Sequence, residues 1–273
     1  MLRFEKNRGW WLVTHPEHAR LAGEFASHWG NEMFASPEPR EQVLRGVSSH
    51  DDGWRARDAE PMITRQGKPA AFSCELVGKY SAFEEIDLTA YLAVRREAVQ
   101  LLAKVDPYAA ILISMHTHNL LSERADRSTI RAEELQWLDA FLVEQMTLQR
   151  ALRERLIAEG LLDLELLTPE SLHKQFRLLQ ACDNLSLLSC VDFDGDATLL
   201  HPFAMKGGGV TEIKVKRVGE RAFQLTPYPF AEAKLTFTFS ARYVPGETFA
   251  SSEELRDWLD SAEPVDFVVL VSA

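Results

Sequence analysis

Ser49-His50-Asp51-Asp52-Gly53-Trp54 is the stretch on which the reading of this chain turns. It sets an imidazole and a carboxylate side by side at the end of a helical pattern. Val43, Leu44 and Val47 recur at helical spacing over Glu41 to Ser49, and Gly53 breaks the chain just beyond the doublet. Two other segments supply matching side chains: Thr14-His15-Pro16-Glu17-His18 upstream, and Gln180-Ala181-Cys182-Asp183-Asn184-Leu185 far downstream. His18, His50, Asp51 and Asp183 make a mixed nitrogen and oxygen donor set. Such a set suits a divalent metal that keeps positions open for water or substrate.

Each donor falls on an expected helix. Thr14 or His15 caps the first, Pro16 suits its first turn and Gly30 ends it; His18, Leu21, Ala22 and Phe25 share its apolar face. Ser81 with Glu84 matches a capping box and starts a helix to about Val105. Asp106-Pro107 opens another, carrying Ala109 to Met115 and then His116. A long, charged helix is expected from Ile130 to about Ala158. Thr168-Pro169-Glu170 opens the last, running to about Cys190 through Asp183. Residues 55–80 look irregular, interrupted by Pro61, Gly67, Pro69 and Gly78.

Strands are expected at residues 9–14, Thr211–Val218, Ala222–Pro227, Leu235–Val244 and Val265–Val271, with a short helix starting at Ser251. The expected fold class is therefore α+β. A mainly helical bundle would occupy residues 1–200 and a β-rich unit residues 201–273, with the strand at 9–14 able to join its sheet.

The order His, then His-Asp, then Asp on a helical scaffold resembles the HD-domain superfamily of metal-dependent phosphohydrolases. The resemblance covers roughly residues 10–190, with 32 residues from His18 to His50 and 132 from Asp51 to Asp183. More narrowly, the chain is similar to bacterial proteins with an HD-like core, a resemblance that implies no established activity. The superfamily pattern implies that His18 is the first ligand, His50 and Asp51 the central doublet and Asp183 the closing carboxylate. His116 is then the candidate for an added ligand, and Asp51 and Asp52 are candidates to exchange protons with substrate or water. The implied cofactor is a divalent metal (Fe, Mn, Zn, Ni or Mg). Dinuclear members have two intervening histidines on separate elements, whereas here His116 and His118 are one residue apart and point about 200° from each other on a helix. One ion or two therefore stays open. The implied reaction is hydrolysis of a small phosphate ester by metal-activated water. A di-iron oxygenase on the same scaffold and a non-catalytic ligand-binding or regulatory module are the alternatives.

The composition narrows the field. A net charge of −11 over 273 residues argues against general nucleic-acid binding, which needs a basic face. No apolar run reaches the roughly 18–20 residues of a membrane span. Cys74, Cys182 and Cys190 are odd in number and widely spaced, as in a reducing compartment, so a cytoplasmic location is expected. The expected partner is a small molecule, and a homodimer through exposed sheet edges is left open.

Plain structural readings stand beside the chemical ones. His18 could be a core histidine on a backbone carbonyl, Asp51 a loop cap, and Asp183 the partner of a buried arginine. His15 and Glu17 suit a helix start as well as they suit orienting a ligand imidazole. His28, His173 and His201 read as structural or surface residues. Lys79, Arg20 and Lys174 could hold a phosphate, yet each fits a solvated surface equally well. Asp192-Phe193-Asp194-Gly195-Asp196 imitates a calcium loop but has Phe203 where the twelfth-position glutamate belongs, so it reads as a turn. Gly207-Gly208-Gly209 lacks a following Gly-Lys-Ser/Thr and reads as a connection.

Overall fold

The computed structural model describes residues 1–72 and 88–273. The Ser81/Glu84 capping box, Gly78, Cys74 and Lys79 lie outside the described residues. The chain is α+β. Two strands, β1 (Leu2–Lys6) and β2 (Gly9–Val13), precede α1 (His15–His28), α2 (Arg40–Ser48) and the short α3 (Arg55–Asp58). Then come α4 (Leu88–Val105), α5 (Pro107–Asn119), α6 (Leu135–Glu159) and α7 (Pro169–Cys190). The chain ends with β3 (Asp196–Thr198), β4 (Phe203–Ala204), β5 (Val210–Thr211), β6 (Lys214–Gly219), β7 (Ala222–Thr226), β8 (Lys234–Pro245), α8 (Ser252–Ser261) and β9 (Pro264–Ser272).

The helix starts follow the sequence. Thr14 accepts from Glu17 N at 3.3 Å, Asp106 from Ala109 N at 3.0 Å, Thr168 from Ser171 N at 3.2 Å and Ser251 from Glu254 N at 3.1 Å. Each side chain satisfies one of the first amides that a helix leaves unpaired. The long helix begins at Leu135 and not at Ile130. Asp126 instead holds Ser128 N in a 3-10 turn, Arg127–Thr129, and the chain straightens at Ile130 before the helix sets in.

Among the described residues seven strands form one sheet in the order β1-β2-β8-β9-β7-β6-β3, antiparallel except where β7 runs parallel to β9. The N-terminal strand joins this sheet, Trp10 pairing with Val244 and Leu12 with Arg242. β1 was not expected, because Arg3, Glu5 and Lys6 hide its inward Leu2 and Phe4. One hydrophobic cluster runs from the helices into the sheet, with Phe25 edge-on to Phe237 at 4.7 Å. The outer edge of α1 is tied to β8 as well: Glu17 accepts from Ser240 N at 2.9 Å, and Arg20 donates to the Thr238 carbonyl. Glu17 and Arg20 therefore seat the helix that carries His18.

Two glycines let the site-bearing elements close up. A Cβ on Gly23 of α1 would lie 2.6 Å from Ser48 Cβ of α2. One on Gly53 would lie 2.7 Å from Ala98 Cβ and 2.9 Å from the Val94 carbonyl oxygen of α4. Only a bare backbone fits at either crossing, so the turn after His50-Asp51 is pinned between α1 and α4. Among the described residues no helix is long and apolar enough to cross a membrane.

Candidate metal centre

α1 packs against both α7 and α2, and α5 lies against both α2 and α7. Their meeting point collects His18 from α1, His50 and Asp51 from the turn after α2, His116 from α5 and Asp183 from α7. All five are buried, none more than 6% exposed. Donor atoms of His18, His50 and Asp51 lie within 4.8 Å of one another, as do those of His50, His116 and Asp183. The structure thus brings together all five residues that the sequence offered as metal ligands.

The histidines are anchored from behind. Ser186 Oγ gives its one hydrogen to the Asp183 carbonyl at 2.8 Å, so toward His18 Nδ1, 3.0 Å away, it acts as acceptor. His18 Nδ1–H is therefore the donor, and Nε2 is left facing Asp51 Oδ2 at 2.9 Å. His50 repeats the arrangement: Nδ1 donates to the Val47 carbonyl at 2.7 Å, and Nε2 faces Asp183 Oδ1 at 3.2 Å and Asp51 Oδ2 at 3.9 Å. An imidazole bonded behind at one nitrogen and presenting the other is the usual posture of a metal-bound histidine. Ligands about 2.0–2.2 Å from one ion sit about 3.0–3.6 Å apart, and the separations here straddle that range. His116 Nδ1 is buried without a hydrogen-bond partner, and His50 Nε2 meets Asp183 as a close ion-pair contact, a place a cation could share. His116 Nε2 stands 3.8 Å from Asp183 Oδ2.

The electrostatics are those of a cluster short of positive charge. Burial opposes protonation of His50, but Asp51 and Asp183 outweigh it and push the imidazole up to about 9. Burial dominates at His116 and pushes it down to about 3, so it is neutral. Burial also works against ionisation of Asp51, yet Arg95 and His50 hold its carboxyl well below the usual range; Asp183 is lowered against the same burial chiefly by His50.

A folded-state value above the ordinary 6.5 means that His50 stabilises the metal-free protein fully below that pH and stops doing so as pH climbs through about 9. Chelator-treated protein is therefore expected to unfold at lower urea concentration above pH 9 than at pH 6.5. An unchanged midpoint would mean that His50 is neutral in the fold.

Three features were not read from the sequence. Arg95 of α4, 6% exposed, donates to Asp51 Oδ1, is bonded to Tyr91 Oη through Nε at 3.2 Å, and lies over Trp54 with its guanidinium carbon 5.3 Å from the ring centroid. The buried arginine weighed as a partner for Asp183 is thus found on Asp51, and among the described residues no arginine pairs with Asp183. Ser186 orients His18. Asp58 of α3 receives the His15 backbone amide and lies 2.9 Å from His15 Nδ1, while His15 stacks on Trp54 at 4.8 Å. His15 is thereby a wall of the cluster, its ring 6.0 Å from that of His18. Burial also keeps its proton affinity low.

Asp52, offered with Asp51 as a proton carrier, is not brought to the cluster. It opens the 3-10 turn Asp52–Trp54, is exposed, and accepts from Arg55 at 2.9 Å. The reason is geometric: the residue after Asp51 turns outward as the chain rounds Gly53. His118 also points away, half-buried, with Ser122 Oγ 3.5 Å from its Nδ1.

The fold and the cluster define an α+β protein with a buried group of histidines and aspartates spaced so that they could hold a metal ion. A family model described as "Protein of unknown function (DUF3891)" matches residues 1–246, and the chain belongs to that family. No curated protein and no solved structure matches it.

Proposed function

We propose that this chain is a metal-dependent phosphohydrolase of HD-like type, acting on a small phosphate ester in the cytoplasm. The observation that carries the reading is the paired posture of His18 and His50, each fixed through Nδ1 and presenting Nε2 to Asp51 and Asp183. His18, His50, Asp51 and Asp183 would hold one ion, and His116 would join His50 and Asp183 around a second. A divalent ion there supplies an acidified water and neutralises phosphoryl charge.

The protein's own groups do the rest. Arg95 occupies Asp51 Oδ1 and so turns Oδ2 toward the imidazoles. Ser186 and the Val47 carbonyl set the tautomers of His18 and His50. His116, held neutral by burial, is suited to offering a lone pair to a cation and not to carrying protons. Asp51, ion-paired and firmly deprotonated, is suited to holding charge and not to carrying protons.

The test is elemental analysis of protein purified without chelators, joined to an assay of p-nitrophenyl phosphate hydrolysis. Bound metal, phosphate release, its loss on chelation and its return with Mn, Fe, Zn, Ni or Mg are expected. Oxygen uptake without phosphate release would replace the reading with a di-iron oxygenase. Full metal occupancy with no turnover across a broad phosphate ester panel would replace it with a binding module. Metal-free protein would end it.

A further inference from the structure

The sheet has two unlike faces. Phe223, Phe237, Phe239 and Val269 point inward and are buried in the cluster shared with the helices. The alternate residues point the other way, and the register lines them up. Asp196, Lys216, Gln224, Ser272 and Lys234 form one row across β3, β6, β7, β9 and β8, with Lys214 and Thr226 beside it. Thr236 and Thr238 continue this outer face along β8, and Leu270 and Val268 along β9. Among the described residues each of these side chains is exposed or half-buried. Val268 is 52% exposed, an apolar side chain left facing water.

α8 covers the far end of the same face. Leu255 and Leu259 pack with Trp10, Leu12 and Val244, and Arg242 donates to the Leu259 and Ala262 carbonyls at 3.2 Å and 3.0 Å. Arg242 and Val244 alternate in step with Lys234, so helix and lysines share one side of the sheet. Val244 and Lys234 are about 33 Å apart along β8. A helix is about 10–12 Å across, so the lysine end forms a recess one helix deep. Charge divides in the same way. Lys214 and Lys234 have no ion-pair partner among the described residues, and Lys216 faces Asp196 across the strands. Asp266, the other acid on this face, is held by Ser240. On α8, burial of Leu255 and Leu259 turns Glu253, Asp257 and Asp260 outward, with Trp258 44% exposed on the flank. Arg256, the one cation of that helix, is half-buried. One end of the face is thus basic and the other acidic.

We propose that two copies of this chain pair face to face about a twofold axis, α8 of each filling the lysine recess of the other. A second copy fits better than another partner because both halves of the contact lie on one side of one molecule. Thr238 pairs with Val268 near the midpoint between Lys234 and Val244. A twofold axis there exchanges the acidic helix with the lysine row. Such a contact closes after two copies and makes every interaction twice. Val268 then meets its own counterpart at the axis, and Trp258 supplies an aromatic anchor. The pairing uses the face of the sheet and not its edges, and it does not depend on the metal centre.

The test is a charge swap on the full-length chain, followed by sedimentation equilibrium. The wild type should reach twice the 30.9 kDa of one chain. One variant carries Lys214→Glu with Lys234→Glu, the other Glu253→Lys with Asp257→Lys. All four side chains are exposed, so both variants are expected to fold, and thermal melting checks this. Each variant alone should dissociate, its Kd for pairing raised at least about 100-fold, because both of its contacts set like charges together. Mixed in equal amounts, the two should pair again to within about tenfold of the wild type, because each contact in the mixed dimer joins opposite charges. Acetylation of the wild type gives a readout without any substitution. Lys214 and Lys234 should lose reactivity as the protein is concentrated, while exposed Lys104 of α4 keeps its own. A wild type that stays monomeric up to millimolar concentration, a dimer that survives both swaps, or swapped variants that do not pair on mixing would overturn the proposal. Unchanged reactivity of Lys214 and Lys234 in a dimeric wild type would place the contact elsewhere and overturn it too.

Discussion

His50→Ala is expected to purify with less than about a tenth of the divalent metal carried by the wild type, and its affinity for added metal to fall by at least about 100-fold. The second figure is conservative, since losing a mere support behind a ligand costs about 10–100-fold. His50 is the one residue common to both donor groups, His18/His50/Asp51 and His50/His116/Asp183. Its removal therefore damages a mononuclear or a dinuclear site alike. Asp183→Asn is the companion variant, because it keeps the shape of the side chain while removing the charge that faces three imidazoles. Asp52→Ala is the control. Its carboxylate is outside the cluster, so metal content should match the wild type. Inductively coupled plasma mass spectrometry on equal amounts of folded protein gives the answer. Metal retained by both His50→Ala and Asp183→Asn would show that any ion is held elsewhere.

The convergence of these five residues was legible because three sat on helices announced by their own caps, and His50 and Asp51 followed a helix that Gly53 ends. Thr14, Asp106 and Thr168 cap the helices that carry His18, His116 and Asp183, and local capping is a short-range effect that a sequence displays openly. The β8 and β9 strands were legible for the same reason, through their alternation.

What escaped reading lay in long-range pairing. Arg95 looks like half of a solvated Arg95-Arg96 doublet. Yet Leu88, Tyr91, Leu92, Arg95 and Val99 are the buried stripe of α4, so helical spacing alone put Arg95 indoors. Arg96, 100° further round, meets Glu144 at the surface. Arg221 is a similar case. It is 2% exposed in a strand-connecting turn, with its guanidinium carbon 4.4 Å and 4.5 Å from the ring centroids of Phe4 and Phe267, and no local signal marks a cation that rests on aromatic faces from both ends of the chain. Asp58 and Ser186 were missed because each acts on a histidine and nothing in its own neighbourhood shows that.

Arg95→Met should cost the chelated protein about 3–5 kcal/mol, the usual penalty for leaving a buried charge without its partner, or a fall in Tm on the order of 10 °C for a chain of this size. Asp51 is 6% exposed and its Oδ1 would lose the guanidinium, while a methionine keeps most of the packing over Trp54 and Tyr91. The loss is therefore mainly electrostatic. If Asp51 Oδ2 also faces a bound cation, that cation offsets part of the deficit. Saturating Mn or Zn should then raise the Tm of Arg95→Met by more than it raises that of the wild type. Adding Asp51→Asn tests the same coupling from the other side, because with no charge left to compensate the double variant should be less destabilised than the two single effects together. Equal metal-induced shifts in wild type and Arg95→Met would mean that arginine and metal do not share Asp51. The carboxylate would then belong to a structural ion pair, and the cluster would have to hold its ion through the histidines with Asp183 as the remaining carboxylate.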